Sequence, residues 1–293
     1  MIRLHTLLAP TDLSAPARQA AERAARLAAD GGARLVLQHV VSSGALDTLR
    51  QLFGAAPGDL QQRLLDEARE ELRELGAALH ERCGVDAELH LGSGAVAAEI
   101  ACEADALDAD LLVLGARGAS LVHDLLLGST TERVLRKTGR PLLVVRRAAA
   151  HAYRRVLLPV DFSARSRQAI AMARALAPQA ELLLLHAFEV PFEGRLRHAG
   201  VGEAELAALT ASARREAEAR MAELVAASGL PADAVQPLVL HGDASVHILD
   251  QQQLHGSELI VIGKRGQGVL EELLLGSVTR HILTQARSDV LVI

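Results

Sequence analysis

The chain has 293 residues, about the length of two domains. Half of the residues are hydrophobic and 23% are charged, which is typical of a folded globular protein and excludes an intrinsically disordered one. The net charge is −5, with 31 basic and 36 acidic residues, so the chain lacks the positive excess of proteins that bind nucleic-acid backbones. We therefore expect no nucleic-acid partner.

The sequence also predicts the cellular location of the protein. Its two cysteines, Cys83 and Cys102, both lie in the first half, which favours reduced thiols over a disulfide framework. No apolar run approaches the ~18 residues that span a bilayer, and the first residues lack the pattern of a secretion signal. We expect a cytoplasmic protein that does not enter a membrane.

Short apolar runs bounded by turn residues predict five strands in the first half: Thr6–Ala9, Leu35–Val41, Ala87–Leu91, Leu111–Leu114 and Leu142–Val145. Between them, apolar residues recur at the spacing of one helix face. Alternating strands and helices predict an α/β fold, a doubly wound parallel sheet with helices on both faces. Ligands of such sheets bind beyond the carboxyl ends of the strands, so the loops there are the candidate site.

An internal repeat extends this organisation to the second half. The stretch TLLAPTDLSAPARQA from Thr6 matches RVLLPVDFSARSRQA from Arg155, and LLVLGARGASLVHDLLLGST from Leu111 matches LIVIGKRGQGVLEELLLGSV from Leu259. A repeat of this length predicts two domains of one fold, which we place at residues 1–148 and 152–293.

The clearest chemical motif follows the fourth strand of each domain. Two glycines separated by two residues are followed, after nine more, by a third glycine and a serine: Gly115, Gly118, Gly128 and Ser129 in one domain, Gly263, Gly266, Gly276 and Ser277 in the other. Glycine lets backbone N–H groups approach a ligand closely, and the Gly-Ser pair opens a helix whose N-terminus favours an anion. The spacing predicts a phosphate-binding loop in each domain.

Simpler interpretations stay open for these residues. Ser129 with Glu132 could form a capping box, although the second copy has Arg280 where the box needs an acid. Asp12 and Asp161, which follow the first strand of each domain, could form turns, accept hydrogen bonds from a ribose, or do both. The loop cations Arg117, Lys264 and Arg265 could be solvated or could screen a polyphosphate.

Three other ligands are disfavoured. Gly92–Ala97 resembles a dinucleotide fingerprint, but its repeat does not, and no acidic residue follows the next strand. The Gly-x-x-Gly tetrads resemble the loop of KH nucleic-acid modules, but they follow strands and not helices. The histidines, including the repeated His39 and His186, show no compact zinc-ligand spacing.

The pattern Gly-x2-Gly-x9-Gly-Ser, with Pro-x-Asp after the first strand, resembles the ATP-binding branch of the universal stress protein family, present here in tandem. The resemblance covers nearly the whole chain. It implies a five-stranded parallel sheet of order 3-2-1-4-5 in each domain. It also implies ATP as the ligand, with Mg²⁺ or Mn²⁺ bound through its phosphates.

Carried over position by position, the resemblance implies a set of nucleotide-binding residues in each domain. The aspartates would lie beside the adenosine, Val40 and Ala187 would line the adenine slot, and the glycine loops would hold the phosphates. Val278, in place of Thr130, offers one hydroxyl fewer, while the next residue is threonine in both copies. The full sets are Pro10, Asp12, Val40, Gly115, Gly118, Gly128, Ser129, Thr130 and Thr131 in the first domain, and Pro159, Asp161, Ala187, Gly263, Gly266, Gly276, Ser277, Val278 and Thr279 in the second.

The resemblance implies a regulatory ATP-binding protein of the stress response and not an enzyme. Hydrolysis needs a group that orients the attacking water, and no residue outside the binding loops is compelling for that role. A slow ATPase and a nucleotide-free dimerising scaffold are the alternatives. Family members pair through their last strands, so we expect an internal pseudo-dimer across Leu142–Val145 and Val290–Ile293, with a homodimer and an unknown protein partner as further partners.

Overall fold

The computed structural model describes residues 2–44, 57–118, 127–231, 234–264 and 275–293. The chain divides into two compact units, and the division falls between Ala152 and Tyr153. Each unit is built around a parallel sheet that is packed with helices, which confirms the predicted α/β fold. Among the helices of the described residues, none is both long and apolar enough to cross a membrane.

The first unit alternates strands and helices along the described chain. Its elements are β1 (Thr6–Pro10), α1 (Ala15–Gly31), β2 (Arg34–Ser42), α2 (Pro57–Cys83), β3 (Ala87–Gly94), α3 (Val96–Ala106), β4 (Leu111–Gly115), α4 (Ser129–Lys137) and β5 (Leu142–Val145). The strands lie in the order β3-β2-β1-β4-β5, and each paired neighbour runs parallel. Cys83 and Cys102 are free thiols in the structure, Cys83 half-buried and Cys102 exposed.

The second unit repeats the arrangement with one additional short helix. Its elements are β6 (Arg155–Pro159), α5 (Ala164–Leu176), β7 (Glu181–Phe188), α6 (Glu193–His198), α7 (Glu203–Ser228), β8 (Val235–His241), α8 (Ala244–Leu254), β9 (Leu259–Ile262), α9 (Ser277–Gln285) and β10 (Asp289–Val292). The strands lie in the order β8-β7-β6-β9-β10, the counterpart of the order in the first unit. Strand β6 is parallel to both β7 and β9.

The first helix of the chain shows how local sequence sets the boundaries. Ser14 is its N-cap, and the serine side chain accepts a hydrogen bond from the backbone N–H of Ala17 at 3.4 Å. Gly32 ends the helix in the left-handed conformation, with φ of 65°. The buried face is rich in alanine, including Ala20 and Ala24, and small side chains let the helix lie close to the sheet.

The strand order determines where a ligand could bind. Strand β1 lies between β2 and β4, so the chain leaves it toward one side of the sheet and later continues on the other. The carboxyl ends of β1 and β4 therefore flank the switch point, and Asp12 and Gly115 lie there. Asp161 and Gly263 hold the equivalent places after β6 and β9.

Candidate functional site

Each glycine loop begins at the end of the fourth strand of its unit. The last residue of the loop lies close to that strand end again, and the next helix begins there. The backbone N–H of Gly128 donates to the Ala116 carbonyl at 2.8 Å, and the N–H of Gly276 donates to the Lys264 carbonyl at 3.0 Å. The two ends of each loop are thus tied together at the switch point. The first N–H groups of the following helix have no partners within the helix and can bind an anion.

The capping-box interpretation of Ser129 is wrong. The N-cap of α4 is Gly128, so Ser129 is the first helical residue, and the helix has no side-chain cap. The Glu132 carboxylate instead accepts a hydrogen bond from Arg136 at 2.6 Å. Helix α9 begins in the same way, with Gly276 as N-cap and Ser277 as its first residue. Neither serine is needed to start its helix.

Close backbone approach explains two of the glycines in the first unit. A Cβ atom on Gly118 would lie 2.4 Å from Oδ2 of Asp12, so the second glycine of the loop touches the strand-end aspartate. A Cβ atom on Gly115 would lie 2.9 Å from the Arg117 carbonyl oxygen and 3.0 Å from that of Pro16. The structure therefore brings together residues that the sequence places about a hundred positions apart.

A buried threonine holds the first glycine of each loop. The Thr131 hydroxyl donates to the Gly115 carbonyl at 2.9 Å, and the Thr279 hydroxyl donates to the Gly263 carbonyl at 2.8 Å. Each threonine is only 3% exposed. A hydroxyl has one proton to donate, and here it goes to the glycine. The Thr279 hydroxyl therefore has no proton left to offer a ligand in place of the hydroxyl that Val278 lacks.

The two aspartates form turns, as one of the sequence interpretations predicted. Oδ1 of Asp12 accepts the backbone N–H of Ser14 at 3.1 Å, and Oδ1 of Asp161 accepts that of Ser163 at 3.0 Å. The residue after Asp12 has a φ of 63° and the residue after Asp161 a φ of 62°, although neither is glycine. This left-handed backbone costs about 1–2 kcal/mol, and both copies retain it.

The Asp161 carboxyl group is held in its charged form. Burial alone would raise its pKa, but hydrogen bonds from Ser163 and Ser166 outweigh that effect, so the pKa lies below its ordinary value. The Ser166 hydroxyl donates to Oδ1 of Asp161 at 2.9 Å. At neutral pH, Asp161 is therefore a carboxylate that can only accept hydrogen bonds.

The repeated histidines brace the ends of the first strands. Nδ1 of His39 lies 2.8 Å from the Thr11 carbonyl, and Nδ1 of His186 lies 2.8 Å from the Val160 carbonyl. A carbonyl can only accept, so Nδ1 carries the proton in both rings. Each histidine thus fixes the backbone next to the strand-end aspartate. In the part of the chain that the structure describes, no three His, Cys, Asp or Glu residues are grouped as metal ligands.

The second unit contains a cavity of about 310 Å³ at the carboxyl edge of its sheet. It gathers eight of the nine predicted residues of this domain: Pro159, Asp161, Ala187, Gly263, Gly276, Ser277, Val278 and Thr279. The ninth, Gly266, lies outside the described residues, as does Arg265. Sequence analysis missed other lining residues, among them Arg165, Ser166 and Ile248. Comparison of the repeats could have found two of them, because Arg165 and Ser166 stand where the first domain has Pro16 and Ala17.

The predicted residues of the first domain lie around the equivalent strand ends. Pro10 ends β1, while Val40 lies on the neighbouring strand β2, where it is 8% exposed and paired in register with Gly92 of β3. Ser129 and Thr130 open α4. Asp12, Gly115, Gly118, Gly128 and Thr131 are joined by the contacts described above, so each predicted residue of this domain lies at the carboxyl edge of the sheet or on an adjoining strand.

Fold and site together define a tandem pair of doubly wound α/β domains, each with a glycine loop, a helix N-terminus and an aspartate at its switch point. The model of the universal stress protein family matches residues 3–146 and, a second time, residues 152–293. The chain belongs to this family and is a tandem two-domain member of it. Universal stress proteins are generally non-enzymatic, in agreement with the prediction of a protein that is not an enzyme.

The chain is also similar to individual proteins. Universal stress protein Rv2005c of Mycobacterium tuberculosis is 31% identical over 196 residues, which are 63% of this chain and 62% of the relative, so the match spans less than two thirds of that protein. The crystal structure of a universal stress protein from Archaeoglobus fulgidus covers 99% of this chain and 98% of its own, with a TM-score of 0.71 and 22% identity. A third protein, 26% identical over 49% of this chain and 98% of its own with a TM-score of 0.37, is a universal stress protein in complex with cAMP.

Proposed function

We propose that each domain binds ATP at the carboxyl edge of its sheet and that the chain is a nucleotide-dependent regulator of the stress response. The cavity of the second unit carries this proposal, because it brings eight residues of one predicted nucleotide set to a single place. Its volume of about 310 Å³ lies at the lower end of the range for small-molecule sites. Its lining combines apolar side chains with a few polar groups, as such sites do.

Each part of a nucleotide has a matching part of the cavity. Leu185 and Ala187 offer an apolar wall for the adenine. The Asp161 carboxylate can accept hydrogen bonds from ribose hydroxyls. Gly263, Gly276 and the N-terminus of α9 offer backbone and dipole to the phosphates, and Ser277 adds a hydroxyl. Mg²⁺ or Mn²⁺ would enter with the nucleotide, bound through its phosphate oxygens.

The first domain would bind ATP in the same manner. Asp12 and Gly118 already touch. Three hydrogen bonds hold the glycine loop of the first domain: Gly128 to Ala116, Ala116 to Val145 and Thr131 to Gly115. The second domain has the equivalent three: Gly276 to Lys264, Lys264 to Ile293 and Thr279 to Gly263. The domain limits of 1–148 and 152–293, the internal pseudo-dimer, the homodimer, the protein partner and the cytoplasmic location stay predictions.

Mass spectrometry of small molecules released from freshly purified protein tests the proposal. We expect ATP in the wild type and less of it in the Gly128→Val and Gly276→Val variants. A Cβ atom on Gly128 would lie 3.2 Å from the Ala116 carbonyl oxygen and 3.3 Å from Cα of Arg117, so a branched side chain would push the helix start away from the loop.

Gly139→Val is the matched control, because Gly139 is exposed and a Cβ atom there would meet nothing within 4 Å. Its nucleotide content should equal that of the wild type. If the Gly128→Val and Gly276→Val proteins release as much ATP as the control, the assignment of the glycine loops is wrong.

A further inference from the structure

One cation in the second cavity has no counterpart in the first domain. Arg165 lines the cavity together with Gly263 and Gly276, whereas the first domain has Pro16 at the equivalent position. The two copies differ at a second lining position as well, because Val278 replaces Thr130. A third difference, Ser166 in place of Ala17, adds a hydroxyl that donates to Asp161 at 2.9 Å, so the differences that bear on a phosphate are the added charge of Arg165 and the absence of the Thr130 hydroxyl.

Arg165 lies beside the start of the glycine loop. It is the second residue of α5, and in the first unit the carbonyl oxygen of its equivalent, Pro16, would be 3.0 Å from a Cβ atom on Gly115. The first turn of this helix thus packs against the first glycine of the loop. In the second unit a long cationic side chain begins at this place.

The position is unfavourable for a cation on local grounds. The N-terminus of a helix is the positive end of its dipole, which disfavours arginine, whereas proline suits the first turn. Among the described residues, none pairs with the exposed Arg165 side chain, so within that part of the chain its charge has no acidic partner. An anion in the cavity would supply the missing partner. Residues that break a local rule without compensation are often functional.

We infer that Arg165 gives the second site its selectivity for nucleoside polyphosphates, by binding phosphate with its guanidinium group. This inference rests on the proposed function of the same cavity. Thr279 does not take over the donor that Val278 lacks, because its hydroxyl donates to Gly263. Apart from the loop cations Arg117, Lys264 and Arg265, the first site offers phosphate backbone and hydroxyl donors, and the second adds the charge of Arg165. This added charge makes the preference of the second site for ATP over adenosine steeper and more sensitive to salt.

Calorimetric titrations of the nucleotide-free full chain test this assignment. Gly128→Val silences the first site, and ATP and adenosine are titrated into that parent and into the same protein carrying Arg165→Ala. Loss of one charge-assisted hydrogen bond should weaken ATP binding about tenfold and leave adenosine binding unchanged. Arg165→Lys, which keeps the charge, should retain most of the ATP affinity.

Arg167→Ala is the matched control, since it removes a cation two residues further along the exposed part of the same helix, outside the cavity lining. It should bind both ligands as the parent does. Unchanged ATP binding in Arg165→Ala, or an equal loss of affinity for ATP and adenosine, would refute the role of Arg165 and leave the proposed function of the cavity intact. A parent that binds no ATP would overturn the proposed function of the second site, and the inference with it.

Discussion

Replacing Thr279 with valine would remove the hydroxyl that holds the glycine loop of the second domain and keep nearly the same shape. The hydroxyl is buried and donates to the Gly263 carbonyl at 2.8 Å. Losing a buried hydrogen bond and leaving its acceptor without that donor costs about 1–2 kcal/mol. For a domain of this size, that cost lowers the melting temperature by about 3–6 °C. The loop would also be less fixed, so ATP binding to this domain should weaken.

Urea unfolding followed by far-UV circular dichroism measures the free energy directly. Thr284→Val is the matched control on the same helix, because the Thr284 hydroxyl donates to the Arg280 carbonyl at an exposed position. Its free energy of unfolding should change by less than about 0.5 kcal/mol. If Thr279→Val is as stable as Thr284→Val, the proposed role of the buried hydroxyl is refuted.

Two further predictions concern the aspartates. In Gly118→Ala the new Cβ would clash with Oδ2 of Asp12, so the loop must move and ATP binding to the first domain should weaken at least about tenfold. Calorimetry in a Gly276→Val background, where only the first domain binds, measures this affinity. An unchanged affinity would refute the contact between Gly118 and Asp12. The lowered pKa of Asp161 means that its contribution to stability is complete above its unfolded pKa, about 3.9, and is lost as the pH falls through the folded pKa. The difference in unfolding free energy between wild type and Asp161→Asn should therefore shrink below about pH 4, and a difference independent of pH would contradict the assignment.

The fold could be predicted from the sequence because two sequence signals are strong, namely the apolar runs of the strands and the internal repeat. Strands such as Leu111–Gly115 and Leu142–Val145 are continuous apolar runs, and the repeat shows the same order of strands in both halves. Strand β3 was predicted too short, as Ala87–Leu91, because Gly92-Ser93-Gly94 has the composition of a turn. In the structure these residues pair with Val40, Val41 and Ser42 of β2, and this pairing overrides local preference.

The site was predictable in its residues and less so in its contacts. In a Gly-Ser pair before a helix, either residue can be the N-cap. Only the backbone conformation shows that the N-cap of α4 is Gly128 and not Ser129. The partner of the Thr131 hydroxyl lies on another element, so no local pattern could indicate it. Arg165 was missed because the repeats were compared for what they share, whereas the informative position is one where they differ.

We propose that each of the two domains binds one ATP. Calorimetric titration of Mg-ATP into the nucleotide-free full chain tests it most directly. We expect two ATP molecules per chain in the wild type, one each in Gly128→Val and Gly276→Val, and none in the double variant. Absence of binding heat in the wild type, or a stoichiometry that the two substitutions leave at the wild-type value, would contradict it.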